Sequence, residues 1–322
     1  MGNPYGINAC GTDKKMVRFD KKLPIYILLP IMKRMQDRPK RIIRTWFLLC
    51  VIGIVLLSVS CQQAEKAVKA KGYVVLSPEL AEIIAAIEGT DNIIGRTQEC
   101  DYPPQILSVP VVGNFGKVNK EDIIKLKPDL VFASSLEQQA IGSDLAKLGI
   151  KVVTVYPKTI SEMLEGIITV GTAIGRETRA KEVADTLHRS LELTRMMTNS
   201  IPRPKVYVEI YREPLMSVSD KSFVGELIEL AGGDNIFSEL ERDYSRIKAE
   251  DVIKAKPDVI ICYSQETAES IRKRLGWQDI PAVKNHRIYF EKDIDPDLIM
   301  RAGPRCHLGA KRLFELIHEV KY

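Results

Sequence analysis

Twelve residues, Glu121-Asp-Ile-Ile-Lys-Leu-Lys-Pro-Asp-Leu-Val-Phe132, return 129 positions later as Glu250-Asp-Val-Ile-Lys-Ala-Lys-Pro-Asp-Val-Ile-Ile261, with seven identities. A second pair lies upstream of each copy: Gly89-Thr-Asp-Asn-Ile93 and Gly232-Gly-Asp-Asn-Ile236, offset by 143. The order is the same in both halves, and the first half carries 14 extra residues between the echoes. A solenoid needs three or more units at a fixed period, so two occurrences point to two related lobes. Each long echo reads as a short helix stopped by proline and followed by an apolar central strand. Glu-Asp in the first turn meets the positive end of the helix dipole, worth about 0.3–1 kcal/mol. Asn119 is placed to cap the first copy, whereas Lys248 at the matching position cannot, so the second helix starts less firmly.

Around the echoes, strand and helix patterns alternate to the C-terminus, the signature of parallel α/β sheets. Gly72–Ser77 reads as a buried strand, and Pro78–Glu88 as a helix with Leu80, Ile83, Ile84 and Ile87 on one face. Between the halves, Gly175 closes one helix and Glu177–Asn199 reads as another, free of Gly and Pro. Its apolar stripe is Val183, Leu187, Leu191, Leu193 and Met196, and its 23 residues would span about 34 Å. The expected fold is therefore α/β: two Rossmann-like lobes with parallel sheets, 72–175 and 201–322. One long helix, 176–200, joins them, and a ligand cleft lies between.

Charge separates the N-terminus from this body. Residues 1–60 hold 11 Lys and Arg against three Asp and Glu, while 61–322 hold 36 against 39. A faintly acidic body gives no electrostatic warrant for a nucleic-acid partner. Arg38, Lys40, Arg41 and Arg44 precede the apolar run Trp46–Leu57, which ends in Leu57-Ser-Val-Ser-Cys61, the layout of an export signal. Its 12 residues cover about 18 Å of a roughly 30 Å hydrocarbon layer; an uncleaved anchor over Ile42–Ser60 is the alternative. The expected layout is an extension ahead of a true start at Met35, or disorder, over 1–34. A signal follows over 35–60, then a tether over 61–71. The body is then extracytoplasmic and membrane-tethered.

Three cysteines remain in the body, Cys100, Cys262 and Cys306, and no CxxC or Cys/His spacing suggests zinc. Phosphate-loop, dinucleotide, HExxH and GxSxG motifs are absent, and the four histidines are scattered. The expectation is no catalytic residue, no metal site and no cofactor; a membrane-anchored α/β enzyme with an interlobe site is the alternative from another class. Five segments at expected sheet edges carry aromatic and basic groups suited to a large ring ligand: Cys100–Pro104, Gly113–Gly116, Tyr211–Pro214, Tyr244–Arg246 and Arg301–Arg305.

Together, the signal, the lobe–helix–lobe plan and the segments Cys-Asp-Tyr-Pro-Pro, Gly-Asn-Phe-Gly and Arg-x-Gly-Pro-Arg resemble the substrate-binding proteins of ABC importers with one rigid connecting helix. That family takes up cobalamin, ferric siderophores and haem, and the resemblance is nearest to its cobalamin-binding branch. It implies a monomer that hands a metal chelate to a permease dimer, and lipidation at Cys61. It also implies ring contacts from Tyr102, Phe115 and Tyr244, the last two standing where tryptophan occurs in that branch. Ser134 and Ile210 replace further aromatics, and Ala231 replaces one cysteine of a family bridge, with Cys306 close to the other position. Tyr211 belongs to the same ligand-binding group. Arg212, Arg246 and Arg301 could face an anionic ligand, the runner-up being a ferric siderophore or haem. Glu121 and Glu250 match the paired glutamates that dock on the permease.

Overall fold

A computed structural model describes residues 72–134 and 136–320. The extension, the signal, the tether and Cys61 lie outside the described residues.

The first lobe runs β1 (Tyr73–Val75), α1 (Pro78–Ala86), β2 (Ile93–Arg96), β3 (Gly113–Asn114), β4 (Lys117–Val118), α2 (Lys120–Leu126), β5 (Leu130–Ala133), α3 (Leu136–Lys147), β6 (Lys151–Thr154) and α4 (Ile160–Ala173). Its main sheet is parallel, in the order β2-β1-β5-β6. Helix α5 (Glu177–Thr198) follows. The second lobe runs β7 (Lys205–Glu209), β8 (Tyr211–Arg212), β9 (Leu215–Val218), α6 (Phe223–Leu230), β10 (Asp234–Asn235), β11 (Tyr244–Arg246), α7 (Ala249–Ala255), β12 (Val259–Cys262), α8 (Ala268–Lys273), α9 (Pro281–Lys284), β13 (Ile288–Tyr289), α10 (Asp297–Met300) and α11 (Cys306–His318). Its parallel sheet, β10-β7-β12-β13, repeats the first lobe's order: second strand, first, third, fourth.

The echoes have a shared physical cause. Both helices end on a left-handed lysine, Lys127 at φ 50° and Lys256 at φ 53°, ahead of the proline. The aspartate after that proline pins the central strand to the start of the lobe's first strand. Asp129 Oδ2 accepts from Gly72 N–H at 3.0 Å, and Asp258 Oδ2 from Lys205 N–H at 2.9 Å. The backbone closes each pair in return, Asp129 N–H to Gly72 O and Asp258 N–H to Lys205 O. Asn119 caps α2 as expected, accepting from Glu121 and Asp122 N–H, and Lys248 makes no side-chain cap.

Alternate residues of each parallel strand enter opposite cores, as burial on both faces requires. Tyr73, Val75, Leu130 and Phe132 face α1, α4 and α5, while Val74, Leu76, Val131 and Ala133 face Ile123 and Leu145. In the second lobe Val206, Val208, Val259 and Ile261 pack with α6 and α11, and Tyr207, Ile260 and Cys262 with Trp277 and Ile280.

Helix α5 belongs to both lobes. Ala180, Ala184 and Leu187 enter the first lobe's core, and Leu191 enters the second's. The expected stripe is corrected here: Leu193 and Met196 are 63% and 66% exposed, and the buried line instead runs Ala180, Ala184, Leu187, Leu191, Thr194, Thr198. Small residues face inward because α4 passes close by. A Cβ added at Gly171 would come within 2.3 Å of the Ala180 Cβ. Gly175, at φ 72°, makes the turn between the two helices.

The body cysteines are free and buried, each in a different core, so none of them pairs with another. Burial pushes the Cys100 thiol up to about 11 and Cys306 up to about 12, and raises Cys262 as well.

Gly171→Ala should overpack the α4–α5 crossing at a cost of about 1–3 kcal/mol, read by calorimetry as a fall in Tm of about 2–4 °C per kcal/mol; an unchanged Tm would contradict the close approach. A thiol-alkylating reagent at neutral pH should leave Cys100 and Cys306 unmodified in the native protein and label both after denaturation. Peptide mapping by mass spectrometry checks this.

Candidate functional site

In open parallel sheets ligands bind beyond the carboxyl ends of the strands, where the strand order reverses. That point lies between β1 and β5 in the first lobe and between β7 and β12 in the second. Both carry a glutamate and a serine in contact. Ser134, just after β5, donates its hydroxyl to Glu79 Oε1 in the first turn of α1. Ser264, just beyond β12, donates to Glu209 Oε1 at the end of β7. The hydroxyl of Ser77, the residue before α1, is buried without a hydrogen-bond partner. A cavity of about 590 Å³ opens beside the second lobe's switch point, lined by Cys262, Gln265–Ala268 and Phe290–Lys292. A smaller one, about 360 Å³, follows β6 over Thr154–Lys158 and one face of α4.

Glu209 is wholly buried and fully partnered. Arg274 grips it with two bonds of 2.6 and 2.7 Å, the Tyr207 hydroxyl donates at 3.1 Å, and Arg274 stacks 4.5 Å from the Trp277 ring. A buried carboxylate left unpaired would be expensive, so this fork stiffens the second rim.

The rims meet through charge. Arg305 of the second lobe forks onto Glu82 of α1, Nε to Oε2 at 2.9 Å and Nη2 to Oε1 at 2.6 Å. Arg301 donates to Glu82 at 3.1 Å and to Asp101 at 2.8 Å, and pairs with Asp297 at 2.8 Å. Burial alone would raise the Asp101 carboxyl; the Arg301 hydrogen bond and charge outweigh it and hold the group below its usual range. Lys158 reaches Asp243 at 3.1 Å, and Ile160 N–H donates to Glu226 of α6 at 2.6 Å.

The seven sequence candidates fall into three places. Tyr211, Arg212, Tyr244 and Arg246 share a small antiparallel sheet, β11-β9-β8, where Tyr211 and Arg246 flank Met216 in one cross-strand row. Phe115 lies at the tip of the β3–β4 hairpin; its N–H donates to Glu99 at 2.8 Å and its carbonyl accepts from Gln138. Tyr102, 41% exposed, lies under the Arg305 guanidinium at 4.1 Å from the ring centre, and Arg301 is bound to its chain neighbour Asp101. Burial first, then the nearby Tyr156 and the charges of Asp243 and Glu79, push the Tyr244 phenol up to about 12. This second-lobe hydroxyl therefore stays protonated near neutral pH and feels first-lobe groups. Two expected anion-facing arginines are already neutralised: Arg301 by Glu82, Asp101 and Asp297, and Arg212 by Glu266 at 3.4 Å.

Ser134 and Ala231 are buried. Glu121 and Glu250 are exposed in the first turns of the corresponding helices α2 and α7. Among the described residues, no group of three or more His, Cys, Asp and Glu is arranged to hold a metal ion. Glu79, Glu82, Glu209 and Tyr156 were not singled out from the sequence. The one available signal was Glu82 itself, a carboxylate set among the buried positions Leu80, Ile83 and Ile84.

Known proteins share this plan. The Periplasmic binding protein family model matches residues 74–294. An uncharacterized ABC transporter substrate-binding lipoprotein, YvrC of Bacillus subtilis, is 31% identical over 256 residues, covering 77% of this chain and 80% of that one. The vitamin B12-binding protein of Photorhabdus laumondii is 28% identical over 247 residues, covering 76% and 86%. Among solved structures, the periplasmic vitamin B12 binding protein BtuF of Vibrio cholerae superposes with a TM-score of 0.69 at 23% identity, over 78% of this chain and 98% of that one. A possible iron-binding, periplasmic solute-binding protein of Staphylococcus epidermidis gives 0.69 at 27% identity, over 78% and 99%. By their names these relatives are binding proteins rather than enzymes. Two like lobes on one shared helix are thus the architecture of a periplasmic binding protein, and the chain belongs to that family.

Proposed function

We propose that the chain is the extracytoplasmic substrate-binding component of an ABC importer, capturing cobalamin or another corrinoid and passing it to a permease. The observation that favours a neutral ring chelate is the state of the arginines. Arg301 and Arg212 are balanced by four carboxylates, and recruiting either for an anionic ligand would take a partner from Glu82, Asp101 and Asp297 or from Glu266. Tyr102, Phe115, Tyr211 and Tyr244 then supply flat contact, and the vitamin B12-binding relatives agree with this choice. Arg246, exposed across Met216 from Tyr211, supports the second reading, a ferric siderophore or haem held by an anionic arm. No cofactor is proposed; any metal arrives inside the ligand.

Glu121 and Glu250 are assigned to docking. Their matched exposure on duplicated helices suits a two-fold permease dimer, each subunit receiving one charge. Lipidation at Cys61 and a membrane tether complete the reading, supported by the lipoprotein relative. The protein acts as a monomer, and because α5 lies in both cores, the lobes close little on binding.

Titration of the purified protein with cyanocobalamin, haem and a ferric siderophore, followed by intrinsic fluorescence, should give micromolar or tighter binding for cyanocobalamin and weaker binding for the anionic chelates. Preference for an anionic chelate would move the assignment to the second reading. Glu121→Lys combined with Glu250→Lys should abolish uptake in cells while leaving ligand affinity within about twofold, since exposed rim charges steer partners without shaping a distant pocket; lost affinity would refute the docking role.

A further inference from the structure

Arg305 touches the other lobe in two chemically different ways. Edge-on, its guanidinium forks onto Glu82, a carboxylate 2% exposed. Face-on, it covers the Tyr102 ring at 4.1 Å. The planar fork cannot turn to leave the ring without breaking a bond to a buried carboxylate, so the stack inherits the rigidity of the ion pair. Arg301 holds the same carboxylate from a second side and also ties down Asp101, next to Tyr102 in the chain. Tyr102 itself lies in a loop between β2 and β3, outside any main-sheet strand, and remains 41% exposed.

We propose that Arg305 is a positioning residue for the ligand: clamped by Glu82 across the gap, its guanidinium plane fixes the Tyr102 ring against which the chelate packs. This rests on the binding function proposed above. Because the clamp and the ring belong to one lobe and the guanidinium to the other, Tyr102 is oriented only while the two rims are in register. A ring-contacting residue is thereby coupled to lobe geometry, although Arg305 need not touch the ligand.

A double-mutant cycle on the full-length protein tests this. With cyanocobalamin as probe, Arg305→Lys keeps the charge but loses fork and stack, and should weaken binding about five- to tenfold. In a Tyr102→Ala background the same change should cost less than about twofold, because the ring it positions is gone. Additive losses would overturn the inference. Should Arg305→Lys fail to fold, Glu82→Gln carries the same expectation. A wild-type protein that does not bind cyanocobalamin defeats the functional reading instead. The positioning role is then decided without ligand by hydrogen exchange: Arg305→Lys should speed exchange across Asp101–Ser108 alone, and unchanged exchange there would sink it.

Discussion

Helix α5 cannot be removed from either lobe without opening a core. Ala180, Ala184 and Leu187 complete one apolar cluster and Leu191 the other, and α4 packs so closely that Gly171 leaves no space for a methyl group. A helix of 22 residues, about 33 Å long, bends only by giving up packing or backbone hydrogen bonds. The width of the gap between the rims therefore follows from side-chain volumes far from any ligand. A receptor whose site is already formed loses less affinity to ordering than one that must close.

Charge arrangement completes what packing begins. Each lobe places glutamates at or near its switch point, and none of the buried ones is left alone: Glu82 has two arginines from the opposite lobe, and Glu209 has Arg274, Tyr207 and Ser264 from its own. Buried ion pairs contribute little net stability compared with apolar packing, yet breaking one is costly, so they act mainly as constraints on geometry. The same arithmetic bears on ligand choice. Arginines committed to carboxylates, as Arg301 and Arg212 are, are poorer partners for an anionic chelate than the exposed Arg246.

Much of this architecture was legible in the chain because its causes are local. The echoed helix depends on acidic residues in a first turn, a left-handed lysine and a proline, all within a dozen residues. The aspartate behind each proline is repeated because each lobe solves the same strand-pairing problem. The inward face of α5 was misread for the opposite reason. Leu187 and Leu191 are buried as expected, but the rest of the buried line is alanine and threonine rather than Leu193 and Met196, a preference that periodicity cannot see.

By itself the sequence determined the α/β class, the two lobes, the helix between them and the exposed glutamates at matching helix starts. Each of these follows from residues close together in the chain. Only tertiary structure decided the site. Glu82 finds Arg301 and Arg305 across 219 and 223 positions, Tyr102 finds its covering guanidinium in the other lobe, and four of the seven candidates gather on one small antiparallel sheet. Contacts at such separation cost no recognisable local pattern, since a charged side chain looks the same in sequence whether its partner is solvent or a buried carboxylate.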